Sequence, residues 1–96
     1  MKPSEALATH RAALRQVVSR HGLLHPRVFG SVLTGTDQDG SDLDLLVDAP
    51  TGTTLFKLAG LQIDAEELLG VKVDVLTPGG LSPKFRERVL QEAQPL

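Results

Sequence analysis

"GSVLTGTDQDGSDLDLLV", residues 30–47, sets a Gly30-Ser31 pair, two further glycines and four aspartates ahead of an apolar run. Side chains at i and i+2 of a strand project to one face. Asp42 and Asp44, at the mouth of a strand expected over about 42–47, therefore converge while Leu43 points the opposite way. Two like charges in that place oppose folding unless something positive sits between them. Gly30 lets the backbone approach a ligand closely, and Ser31 offers a hydroxyl and an amide where a loop or short helix begins, a position that favours anions. A phosphate seat and a pair of acidic jaws, joined by a ten-residue connection, describe a site for a metal-bound nucleoside triphosphate.

Upstream of this stretch, Leu7, Leu14, Val17 and Val18 form a one-sided stripe on a helix expected from Ser4, its cap, to about residue 21, before Gly22. Pro26 resets the chain for a short strand at 27–29. Downstream, Pro50 and Gly52 end the second strand. Thr53 or Thr54 then caps a helix carrying Leu55, Leu58, Ala65, Leu68 and Leu69 toward Gly70. Gly60 within it costs ~1 kcal/mol relative to Ala and predicts a kink or break. Residues 71–76 read as a third strand and Pro78-Gly79-Gly80 as a turn. Ser82-Pro83 opens a last helix with Phe85, Val89 and Leu90.

The order is α-β-(short α)-β-α-β-α, an α/β (α+β) chain with a small sheet flanked by helices. The crossover helix makes the second and third strands parallel neighbours. Asp74 lies among Val71, Val73, Val75 and Leu76, which give no polar reason for a carboxylate. Adjacent strands would bring it to Asp42 and Asp44. Three convergent carboxylates cost several kcal/mol unless protonated or neutralised. An all-oxygen donor set with no cysteine suits Mg²⁺ or Mn²⁺ over zinc. Two such ions, ~4 Å apart, would activate an attacking oxygen and stabilise a leaving pyrophosphate.

Composition bounds the alternatives. The chain has 96 residues, 41% hydrophobic and 23% charged, which fits one domain spanning 1–96. A net charge of −2 and only three aromatics give no strong signal for nucleic-acid binding by charge or by base stacking. With no cysteine, disulfides and thiolate metal sites are excluded. No apolar run approaches the ~20 residues of a membrane span, and a cytoplasmic protein is the expectation.

Gly30-Ser31, Gly35 and the run Ser41-Asp42-Leu43-Asp44-Leu45-Leu46-Val47 resemble the signature of the DNA polymerase beta-type nucleotidyltransferase superfamily, most closely its minimal nucleotidyltransferase branch. The segment LLGVKVDVLTP resembles that branch's third-carboxylate strand, so the likeness spans nearly the whole chain. The resemblance implies a mixed sheet of three or slightly more strands. Asp42, Asp44 and Asp74 would be catalytic and metal-ligating, with Asp74 helping to activate the acceptor hydroxyl. Gly30, Ser31, Gly35 and Ser41 would bind the nucleotide phosphates. It also implies ATP or another NTP as substrate. Its members often pair with a helical HEPN protein in prokaryotic toxin–antitoxin modules, where some transfer AMP to a toxin tyrosine. The branch commonly shows Gly-Ser-Arg-Ala-Arg-Gly where this chain has Gly30-Ser31-Val32-Leu33-Thr34-Gly35, so both loop cations are missing.

The sequence thus reads as a Mg²⁺-dependent transferase of a nucleoside monophosphate to a hydroxyl, with a non-catalytic antitoxin that neutralises its partner by binding as the rival. A structural dimerisation domain has no specific feature in its favour. Asp37, Asp39 and Asp48 read as exposed loop or strand-end charges. His10, His21 and His25 have no metal spacing and read as surface or helix-end residues. Ser41 suits either a bond to its own loop backbone or a ligand contact. Arg11 and Arg15, one helical turn apart, read as a solvated face.

Overall fold

A computed structural model describes residues 1–96. Helix α1 (Pro3–Arg20) leads to strand β1 (Leu24–Phe29), the single turn α2 (Ser31–Thr34), β2 (Leu43–Asp48), α3 (Leu55–Leu69), β3 (Val73–Leu76), a 3₁₀ turn at Pro78–Gly80, α4 (Arg86–Glu92) and β4 (Gln94–Pro95). The strands form one mixed sheet in the order β3-β2-β1-β4. As expected, β2 and β3 run parallel, while β1 is antiparallel to both β2 and β4.

Strand alternation divides β2 between two environments. Leu43, Leu45 and Val47 are fully buried and join Val28 and Val73 in a core with Ala6, Leu7, Leu14, Val17 and Val18 of α1 and Leu61, Ala65 and Leu69 of α3. The intervening Asp44, Leu46 and Asp48 turn to the opposite face, where only Leu46 is fully buried. One strand therefore anchors the core and displays the carboxylates, because its side chains alternate.

Several boundaries differ from the sequence expectation. Lys2, not Ser4, is the N-cap of α1; its amide donates to the Glu5 carboxylate at 3.2 Å, leaving Ser4 already within the helix. Backbone angles at His10 are non-helical. Just before it the Thr9 hydroxyl donates to the Glu5 carbonyl, a bond that bends helices. β1 starts three residues early. It absorbs Pro26 through an irregularity between Leu24 and Arg27, with His25 at φ 52°. Proline is tolerated there because the ladder is interrupted.

α3 is capped by the Thr54 hydroxyl, which accepts from the Lys57 amide, a bond worth ~1 kcal/mol. The helix runs through Gly60 without a break. The reason for glycine is close approach: a Cβ there would stand 3.1 Å from the His21 ring, which pairs with Asp64 of α3 at 2.6 Å. β3 is shorter than expected, beginning at Val73. α4 begins at Arg86 rather than Ser82 and buries no residue, Phe85 and Leu90 being exposed. β4 had no sequence signal: it is two residues long and holds the edge of β1.

Candidate active site

The parallel register places Asp44 opposite Asp74. Paired residues of parallel strands face the same side, and Asp42, one residue before β2, is near enough for its charge to act on Asp44. Asp42 and Asp74 are exposed and Asp44 is half-buried. Burial, then the neighbouring charges of Asp74 and Asp42, push the Asp44 carboxyl above its ordinary value. Asp44 thus lies within the field of both other carboxylates. The three do not form a ready-made cage: no three carboxylate or imidazole groups are gathered as closely as a chelated ion requires. The expected adjacency of Asp44 and Asp74 is found in the strand register, while a closed cluster of three carboxylates is not; repulsion between like charges gives no reason for the side chains to close up unaided.

The Gly30-Ser31 corner abuts this cluster. Gly30 sits at φ 81°, and a Cβ on it would collide with the Asp44 carboxylate. The positive φ calls for glycine here, and any side chain would also have to displace the Asp44 carboxylate. Ser31 begins the turn α2, which Gly35 closes in the left-handed conformation at φ 72°. Ser41 uses its hydroxyl locally, accepting from the Gln38 amide at 2.9 Å, while its own amide donates to the Gln38 carbonyl. It shapes the loop leading to Asp42.

Asp37 corrects the sequence reading. It is buried at 5% exposure, and the Ser4 amide donates to its carboxylate at 2.8 Å across 33 residues of sequence. The Ser4 amide, then its hydroxyl, hold this carboxyl below its ordinary value. Asp37 therefore fastens the acidic loop to the start of α1. Asp48 is also more than a strand-end charge: Arg27 binds it at 2.9 Å and His25 at 2.7 Å. Asp39 is exposed as expected.

A cleft of about 520 Å³ opens from Gly30 and Thr34 toward Arg88, Gln91, Glu92 and Gln94. None of the last four was singled out from the sequence; α4 offered only apolar positions to a pattern reading. A second hollow near Gln62, Glu66 and Lys72 shares no residue with the site. Arg86 serves structure, donating to the carbonyls of Pro78 and Leu81 at 2.8 and 2.9 Å. No helix is long and apolar enough to cross a membrane.

Chemically, the cluster offers hard anionic oxygens beside a backbone corner and a polar cleft. Its donor set of hard anionic oxygens fits a divalent cation such as Mg²⁺ or Mn²⁺, and a cation there would relieve the repulsion that Asp74 and Asp42 exert on Asp44.

Residues 11–96 match the nucleotidyltransferase domain family. A candidate protein adenylyltransferase of Methanocaldococcus jannaschii is 36% identical over 77 residues, covering 80% of this chain and 83% of that protein. Protein adenylyltransferase MntA of Thermococcus cleftensis is 35% identical, covering 90% and 84%. The solved structure of a candidate minimal nucleotidyltransferase superposes with a TM-score of 0.86 at 47% identity, covering 97% of this chain and 95% of that one. A toxin–antitoxin structure with AMP-PNP shares the fold, with a TM-score of 0.73 at 20% identity, covering 85% and 68%. With its mixed sheet, its Gly-Ser corner and its strand-borne aspartates, this chain belongs to the nucleotidyltransferase domain family and is an enzyme of the minimal nucleotidyltransferase type.

Proposed function

We infer that this nucleotidyltransferase transfers AMP from ATP to a hydroxyl of a partner protein with Mg²⁺ or Mn²⁺, and that the partner is a HEPN-type toxin for which the chain is the antitoxin. The observation that carries the chemistry is the register of Asp44 against Asp74 on parallel strands, with Asp42 close enough for its charge to act on Asp44. The names of two relatives, protein adenylyltransferases, favour AMP and a protein acceptor. The toxin–antitoxin neighbour with AMP-PNP favours the antitoxin setting.

Asp42, Asp44 and Asp74 would hold the cation, which when bound neutralises phosphate charge and polarises the α-phosphate. Gly30 presents backbone without a side chain beside Asp44, and Ser31 supplies a hydroxyl to the phosphates. Gly35 ends the turn that carries Ser31. Asp74, on the more exposed strand, accepts the proton of the acceptor hydroxyl. The acceptor oxygen bonds to the α-phosphorus, the bond from that phosphorus to the bridging oxygen of the β-phosphate breaks, and pyrophosphate leaves.

The test uses ATP labelled in its α-phosphate, Mg²⁺ and a co-expressed partner. Label on the partner with the native chain, and none with an Asp42→Asn, Asp44→Asn double variant, supports the reading. Equal labelling by both chains overturns the metal site. A second reading, neutralisation by binding alone, draws on the absence of any cation between Ser31 and Gly35; a stable complex without label supports it.

A further inference from the structure

We propose that Arg88 of α4 supplies the cation for the terminal phosphates of the nucleotide, in the place left without charge by the Gly30–Gly35 loop. This assignment rests on the nucleotidyl-transfer reading above and names the residue that makes a triphosphate tolerable beside three carboxylates. A triphosphate beside Asp42, Asp44 and Asp74 carries negative charge on its terminal phosphates beyond what a cation held by the three carboxylates offsets. The segment Ser31-Val32-Leu33-Thr34 offers hydroxyls and apolar groups only. Positive charge from the chain must therefore come from another element.

The fold supplies one. The cleft of about 520 Å³ has Gly30 and Thr34 on one wall and Arg88, Gln91 and Gln94 on the other. Gly30 links the two halves of the site, since its open side is filled by the Asp44 carboxylate. A triphosphate whose α-phosphate is near Asp44 can extend its β- and γ-phosphates past Gly30 into this cleft. There the Arg88 guanidinium, with the Gln91 and Gln94 amides, presents donors.

Arg88 is also available. Its side chain is 73% exposed, and its ion pair is with Glu92, one helical turn away at 3.2 Å and itself 60% exposed. Such a surface pair is held weakly, so a phosphate can take the guanidinium from it. Glu92 lies in the same cleft and opposes an incoming anion until that exchange occurs. By contrast Arg86, two residues earlier, is committed to the carbonyls of Pro78, Gly79 and Leu81 and is not free for this purpose. β4, pairing with β1 at Arg27 and Val28, ties the end of α4 beside the Gly30 corner.

Calorimetric titration of Mg-ATP, Mg-tripolyphosphate and AMP into the native chain and an Arg88→Gln variant tests the assignment. A charge-assisted, bidentate contact predicts a loss of about tenfold to a hundredfold for ATP and tripolyphosphate. AMP, which lacks the terminal phosphates, should bind both chains alike. Arg88→Lys should recover part of the loss, because the charge returns without the planar fork. Thermal stability is the check on folding, and an exposed residue should leave it unchanged. ATP affinity unaltered by Arg88→Gln overturns the assignment, and so does an equal loss for ATP and AMP, which would mark a structural role. Failure of the native chain to bind any triphosphate overturns instead the nucleotidyl-transfer reading on which the assignment stands.

Discussion

The two ends of β2 carry the same residue on the same face with opposite consequences. Asp48 meets Arg27 and His25, while Asp44, four residues earlier, meets Asp74 and Asp42. One carboxylate is neutralised inside the molecule and locks the far end of β1 to β2. The other is left among like charges, which folding alone does not favour. A carboxylate with internal partners belongs to the architecture; one whose nearest charges repel it is one that a bound cation would relieve.

The strongest way to break this contrast is at Asp42 and Asp44. Each asparagine variant removes an anionic oxygen from a hard cation. Several kcal/mol of transition-state stabilisation are at stake, so the rate of AMP transfer should fall at least about a hundredfold, as measured by label incorporation. Asp74→Asn comes next. Loss of a positioned general base should lower turnover by about 10²- to 10⁴-fold while ATP binding persists. Calorimetry showing ATP affinity lost as severely as in Asp42→Asn would mean that Asp74 serves the cation alone and has no separate role toward the acceptor.

The charge imbalance can also be repaired. Thr34 borders the cleft beside Gly30, so Thr34→Arg should tighten Mg-ATP binding roughly tenfold, equivalent to about 1.4 kcal/mol. Unchanged affinity in a titration would mean that α2 does not face the phosphates. At the opposite end, Asp48→Ala strips the partner from Arg27, whose side chain is only 16% exposed. Discounted for solvent screening, the cost is about 1 kcal/mol. Tm should therefore fall by roughly 4 to 8 °C, with ATP affinity retained.

The smallest effect has the opposite sign. Because its folded-state value is raised, ionised Asp44 opposes folding. Stability is lost as pH rises from the ordinary carboxylate range through the raised value, and the penalty is complete at neutral pH. Asp44→Asn in EDTA should therefore melt slightly higher than the native chain, by about 2 to 4 °C for an effect on the order of 0.5 kcal/mol. The difference should shrink on acidification through the raised value; melting curves across that range check both magnitude and sign.

The sequence by itself determined the strand and register of the candidate carboxylates, because those signals are local. Alternation puts Asp44 on one side of β2 and Leu43 and Leu45 on the other. The crossover helix makes β2 and β3 parallel neighbours, and a valine-rich strand has no use of its own for Asp74. Contacts between distant segments were decided only by tertiary structure. Asp37 became buried because the amide of Ser4, 33 residues away, reaches it. Gly60 is explained by the His21 ring and not by a break in its helix. β4 is too short to have a period and exists because β1 offers it an unpaired edge. The cleft that joins Arg88 to Gly30 depends on that same pairing. Periodicity records which way a side chain points, whereas the partner it meets is fixed by how separate elements pack.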